Sequence, residues 1–386
     1  MITVDEALGH VFALADRLDT ETVPLRRATG RVLAAPVTAT RAQPPFRASI
    51  MDGYAVAGEA DTYRVVGEIA AGGDAVADMS PGEAVRIFTG APVPNGAMRV
   101  VIQEDVTRAG DIISIHEDAD KETYIREIGR DFNVGDQIDA PRRMTPALTA
   151  LAAAMNCPEV TVSRRPKVAF IATGDELVMP GEAPAASQII ASNGLALAAI
   201  AEAEGAEARL LPIAADTRES LEAAFALTTG VDLIVTIGGA SVGDYDLVGP
   251  VAKELGLEQA FYKIAMRPGK PLMAGRLAGI PMLGLPGNPV SSIVCGHIFM
   301  RPLLRAMQGL PHQPLSQQTG TLAAPIGPNG PREHYMRASR VGDKLTVAER
   351  QDSALLTVLA DADVLVVRPP HDPALEANTP VSFIEF

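Results

Sequence analysis

Three short runs of nearly unbroken apolar residues, at 168–172, 233–237 and 282–285, constrain this chain more than any other feature. Each ends in a glycine-bearing turn that leads into a helical pattern. A strand carries apolar side chains on both faces only when both faces are covered, so these runs predict parallel strands between layers of helix. The segments between them agree. A helix is expected from 193 to about 204 and a strand over 208–213, and Asp216-Thr217-Arg218-Glu219 reads as a capping box opening the next helix. Asn288-Pro289 then caps and starts a helix reaching about 307. The expected fold class for 166–307 is a doubly wound, mostly parallel α/β domain.

Other stretches read differently. Residues 4–18 place Val4, Ala7, Leu8, Val11 and Leu18 on one stripe, an amphipathic helix. Between 45 and 136, β-branched runs at 63–66, 84–88, 100–102 and 112–115 are cut by Gly and Pro, which predicts a β-rich domain. Thr145-Pro146 opens another helix, so the β-rich part is expected as an insertion into a helical linker built from 1–44 and 137–165. The tail, 308–386, has short strands such as 364–367 and reads as a small C-terminal β domain. A length of 386 residues accommodates such a multidomain division.

Charge and composition exclude several classes. A net charge of −14 repels phosphate backbones and argues against general nucleic-acid binding. No apolar run reaches the roughly 18 residues of a membrane span, and acids stand where a secretory signal carries Lys or Arg, so the expectation is a cytoplasmic protein. Cys157 and Cys295 match no redox or metal spacing, and the six histidines form no zinc motif.

In an open parallel sheet, ligands bind beyond the carboxyl ends of the strands. That rule selects three turns: Thr173-Gly174-Asp175-Glu176-Leu177, the stretch from Gly238 and Gly239 through Ser241, Asp244 and Asp246, and Pro286-Gly287-Asn288-Pro289. Glycines there let N–H groups crowd an anion at a helix start. None of the three is a Walker loop or a dinucleotide fingerprint. Gly239-x-Ser241-x-Gly243 fits a hydrolase nucleophile elbow, but no oxyanion segment accompanies it. Lys263, Arg267 and Lys270 put three cations within eight residues of an acidic chain, suited to an oxyanion. The acids Asp175, Glu176, Asp244 and Asp246 suit a hard cation such as Mg²⁺ shared with a substrate phosphate. Asp216 is accounted for by capping, and Asp52-Gly53 reads equally well as a hairpin turn.

As a set, these motifs resemble the molybdopterin molybdenumtransferase family, the MoeA type that includes the gephyrin E domain. The matching residues are Ser49, Met51, Asp52, Gly53, Tyr54 and Ala55; Thr89-Gly90-Ala91; Gln103-Glu104; Arg126 to Asp131; the three turns; and Lys263 to Lys270 with its Pro-Gly-Lys-Pro ending. The resemblance implies a molybdopterin-binding α/β domain with a helical linker, an inserted lid and a C-terminal β domain. It also implies a homodimer whose sites lie between subunits, and transient contacts with other molybdenum cofactor biosynthesis proteins. The implied reaction takes adenylyl-molybdopterin and molybdate to molybdenum-molybdopterin and AMP, with Mg²⁺ assisting. Carried over by motif, Asp52, Thr89, Arg126 and Asp131 come from the partner's lid, while Glu176, Asp246, Lys263, Arg267 and Lys270 line the α/β pocket. Glu176, Asp244 and Asp246 are the metal candidates. Arg332, Arg337 and Ser353 fall in a loosely matching C-terminal segment, and Arg267 stands where some relatives have Lys.

Overall fold

The computed structural model describes residues 1–74, 78–239 and 247–386. Two compact units account for the chain: Met1–Glu21, Gly30–Ala34 and Val162–Phe386 form the first, Thr22–Thr29 and Ala35–Thr161 the second.

The first unit opens with helix α1, Val4–Ala13, started by a reciprocal capping box in which Glu6 N–H donates to Thr3 Oγ1 and Thr3 N–H donates to the Glu6 carboxylate. The α/β sheet then follows in chain order as β1 (Lys167–Ala172), α2 (Asn193–Ala203), β2 (Glu207–Leu210), α3 (Arg218–Ala226), β3 (Leu233–Ile237), α4 (Val248–Glu254), β4 (Leu257–Tyr262), β5 (Met273–Leu277) and β6 (Ile280–Leu285). The spatial order is β2-β1-β3-β6-β5-β4. The first four strands run parallel, with Val168 opposite Leu233 and Ile234 opposite Met282. β5 and β4 complete the sheet as antiparallel neighbours.

All five β3 residues are buried, as their apolar run required, and cores lie on both faces of the sheet. Val4, Leu8 and Val11 of α1 share one core with Phe170, Val235 and Leu285. The N-terminal stripe therefore belongs with the α/β body. The sequence grouped it with the linker helix because an amphipathic pattern specifies that a face is covered, not by what.

α5 (Pro289–Cys295) continues through a π-helical turn, Gly296–Met300, into α6 (Arg301–Met307). The tail forms β7 (Gln318–Leu322), β8 (Glu333–Val341), β9 (Lys344–Val347), β10 (Val364–Arg368) and β11 (Pro380–Glu385). β8 pairs with both β9 and β10, and so closes the small sheet on itself. The two-residue strand Met266–Arg267 joins β8 in parallel, so the cationic loop leaving β4 is stitched to the C-terminal barrel.

The second unit carries a six-stranded sheet in the order Arg99–Ile102, Gly53–Val56, Glu83–Ile87, Thr62–Ile69, Ile112–Ile115, Val106–Ala109. Alternate residues feed two cores, Ala55 and Val85 on one face, Tyr54 and Val56 on the other. Gly53 is not a hairpin turn: it starts an interior strand, where an added Cβ would stand 1.9 Å from the Val101 carbonyl oxygen. The expected helix is Pro146–Ala154, with Thr145 accepting from Leu148 N–H.

Candidate functional site

The parallel register brings the ends of β1, β3 and β6 side by side, and hydrogen bonds continue past the strands. Thr173 N–H donates to Ile237 O (3.0 Å), Gly174 N–H to Ala214 O (3.1 Å) and Gly238 N–H to Leu285 O (3.0 Å). Gly238 has φ +92°, and an added Cβ would lie 2.8 Å from the Thr173 carbonyl oxygen, so only glycine lets the first two turns approach so closely. Asn193 Nδ2, at the start of α2, donates to Gly287 O at 2.7 Å and ties in the third turn.

These turns enclose a cavity of about 770 Å³. Of the residues selected from sequence, Thr173, Gly174, Glu176, Gly238 and Gly239 line it, together with Asp216 and the Pro286-Gly287-Asn288-Pro289 turn. A smaller cavity of about 410 Å³ is lined by Arg267, Lys270, Arg332 and Ser353. Pro271 and Asn288 line both, so the two adjoin. Lys263 lines neither: its backbone is in the left-handed region, φ 69°, and its Nζ lies 4.9 Å from the Tyr262 ring centroid. Ser241, Asp244 and Asp246 lie outside the described residues.

Two acids behave differently from their sequence reading. Thr217, not Asp216, caps α3, accepting from Ser220 N–H at 3.2 Å. Asp216 is thereby left to line the cavity, with its N–H donating to Asp175 Oδ1 at 3.0 Å. Burial pushes the Asp216 carboxyl up from the ordinary range, and the charges of Asp175 and Glu176 push the same way. Asp175 itself is a ligand of that backbone rather than a lining residue. Asn288 occupies the cap position of α5, but its side chain makes no capping bond and lines both cavities.

The sequence did not select Ile189 and Ile190, which together with Leu177 give the larger cavity an apolar wall. They belong to a short parallel pair, Leu177–Val178 with Ile189–Ile190. Ile189 is 58% exposed, an apolar side chain at a cavity mouth, and a two-residue strand leaves no periodic signal to find it by.

In the second unit, Asp52 Oδ1 accepts from both Thr89 N–H and Thr89 Oγ1–H, each at 2.8 Å. Thr89 donation holds the Asp52 carboxyl below its ordinary range. Ser49 links the surrounding segments: its N–H donates to Ala91 O, its carbonyl accepts from Gly90 N–H, and it pairs with Ile125 beside Arg126. Arg126 and Asp131 are exposed, and Asp131 N–H donates to Gln43 O at 3.0 Å.

Comparison with known proteins agrees with this architecture. Residues 2–156 match the MoeA N-terminal region (domain I and II), 169–306 a probable molybdopterin binding domain, and 319–386 the MoeA C-terminal region (domain IV). A molybdopterin molybdenumtransferase from Nostoc sp. is 37% identical over 80% of this chain and 75% of its own. One from Bacillus subtilis is 32% identical over 95% of this chain and 90% of its own. The crystal structure of a molybdopterin biosynthesis protein from Pyrococcus horikosii superimposes with a TM-score of 0.83 at 30% identity, covering 100% of this chain and 99% of that one. With its motifs, its domain matches and its whole-chain structural likeness in agreement, the chain belongs to the molybdopterin molybdenumtransferase family.

Proposed function

We propose that this chain is a molybdopterin molybdenumtransferase that takes adenylyl-molybdopterin and molybdate to molybdenum-molybdopterin and AMP. The observation that carries the reading is the pair of adjoining cavities, one walled by strand-end turns and aliphatic side chains, the other by Arg267, Lys270, Arg332 and Ser353. A planar, phosphorylated ligand suits the first, with its ring against Leu177, Ile189 and Ile190 and its phosphates near the glycine turns. Molybdate, a tetrahedral dianion, suits guanidinium, ammonium and hydroxyl donors in the second. Tungstate has nearly the same size and charge and is expected to compete.

Mg²⁺ fits the acidic edge as a shared ion. Among the described residues no three His, Cys, Asp or Glu side chains group as a metal cage. Magnesium commonly takes only one or two carboxylates and completes its shell with substrate phosphate and water. Glu176 and Asp216 face the cavity and are the described candidates; Asp244 and Asp246 lie outside the described residues. When bound, the ion would neutralise charge on the phosphoanhydride so that AMP can leave. Such a cation would oppose the upward push that burial gives the Asp216 carboxyl.

In this reading the protein is a cytoplasmic homodimer that meets other cofactor-biosynthesis proteins transiently, and Asp52, Thr89, Arg126 and Asp131 act from a partner subunit. Among the described residues no helix is long and apolar enough to cross a membrane. The test is AMP release by the purified chain from adenylyl-molybdopterin with molybdate and Mg²⁺, repeated with tungstate. Molybdate-dependent release supports the reading. Binding of the adenylyl compound with no AMP released under any oxyanion would reject it.

A further inference from the structure

Arg86 is half-buried on the strand Glu83–Ile87 of the second unit, three residues before Thr89. Antiparallel pairing with Gly53–Val56 puts it opposite Tyr54, beside the start of the segment that carries Asp52. Its Cζ lies 5.1 Å from the Tyr54 ring centroid and 4.7 Å from that of Phe88, and contact with aromatic faces keeps the guanidinium fork in one orientation. The fork meets two neutral acceptors: Nη1 donates to Gly53 O at 2.9 Å and Nη2 to Gln103 Oε1 at 2.6 Å. No carboxylate pairs with it among the described residues. Glu83, on the same strand, is taken by Arg64, and Glu68, opposite in the parallel register, makes no ion pair.

These bonds converge on Asp52. Gln103, held by Arg86 through its side chain, donates its own N–H to Asp52 O at 3.1 Å. The Gly53 carbonyl, next along the chain, is held by Arg86 directly. The Asp52 carboxylate is held by Thr89, which follows Phe88, one of the two rings against the guanidinium. Asp52 and Thr89 are both exposed, so packing does not fix them and their geometry depends on this set of hydrogen bonds. The unpaired charge also bears on the site. Donation by Thr89 does most to hold the Asp52 carboxyl below its ordinary range, and the positive charge of Arg86 pushes the same way.

We infer that Arg86 is a positioning residue for Asp52: its fork fixes the chain that follows Asp52 and the Gln103 side chain beside it, and it acts on the reaction only through Asp52. The inference rests on the proposed role of Asp52 in AMP release and adds a residue outside the set matched by motif.

A double-mutant cycle on the full chain tests it, read by AMP release from adenylyl-molybdopterin with molybdate and Mg²⁺ and by thermal unfolding. Arg86→Met keeps an apolar stem against the rings and removes fork and charge. It is expected to lower kcat roughly tenfold while KM for either substrate changes less than about twofold, since Arg86 lines neither cavity. Arg86→Lys restores the charge with a single point donor and should recover part of the loss. In an Asp52→Ala background neither substitution should lower kcat further, because a residue acting only through Asp52 has nothing left to position. Equal losses in the two backgrounds would overturn the inference, and so would wild-type kcat in folded Arg86→Met. Should Arg86→Met not fold, Arg86→Lys carries the same cycle. The two levels separate cleanly: wild-type turnover by Asp52→Ala removes the reading beneath the inference, whereas slow Asp52→Ala beside wild-type Arg86→Met sinks the inference alone.

Discussion

Replacing Gly238 by Ala should damage the first unit far more than replacing Gly287 by Ala, although both glycines line the same cavity. At position 238, φ is +92° and the new Cβ would meet Thr173 O at 2.8 Å and Thr173 Oγ1 at 3.0 Å. The left-handed backbone costs an L-residue roughly 1–2 kcal/mol. The 2.8 Å approach is to backbone, so relief requires the Thr173 turn to move and strains its bond to Ile237 O. Adding about 1 kcal/mol for that weakened hydrogen bond gives a total near 2–3 kcal/mol. At 287 the backbone is not left-handed and the nearest atom, Gly238 Cα, is 3.5 Å away, an ordinary contact. Substitution there should cost under about 1 kcal/mol. For a body of this size each kcal/mol moves Tm by about 2–4 °C, so calorimetric scans should show a drop of roughly 4–12 °C for Gly238→Ala and little for Gly287→Ala. Equal Tm values for the two variants would refute the reasoning, because it rests on a steric difference between them.

Asp232 accepts from both Arg164 Nη atoms at 2.6 Å and from Lys167 N–H at 2.8 Å, tying the start of β1 to the turn before β3. Burial pushes this carboxyl up, but donation by Arg164 and Lys167 outweighs it and the net shift is downward. A lowered carboxyl contributes stability above its unfolded pKa that disappears as pH falls through the folded one. Asp232→Asn should therefore lower Tm at pH 7, with the gap to wild type closing in acid; a gap independent of pH would contradict this. In the second unit, Asp52→Ala should reduce AMP release at least tenfold, in the range of a lost active-site charge, with circular dichroism unchanged. Wild-type turnover by Asp52→Ala would remove Asp52 from the site.

The sequence by itself determined what is local. β3 has the bounds that its apolar run prescribes, and the helix at Thr145-Pro146 starts where its cap prescribes, because burial of both strand faces and capping of the first turn are settled within a few residues. The tertiary structure decided what depends on neighbours. Asp216 faces a cavity because Thr217 took the cap it was expected to fill, a competition between adjacent residues that sequence reading resolved the wrong way. Arg267 and Arg332 share a cavity because the strand at Met266–Arg267 pairs with Glu333 and His334, across more than sixty residues of chain. The burial of Arg337 follows from the closure of the barrel. No periodicity or motif carries such pairings, since strand register and side-chain burial are set by which surfaces meet and not by the residues that precede them in the chain.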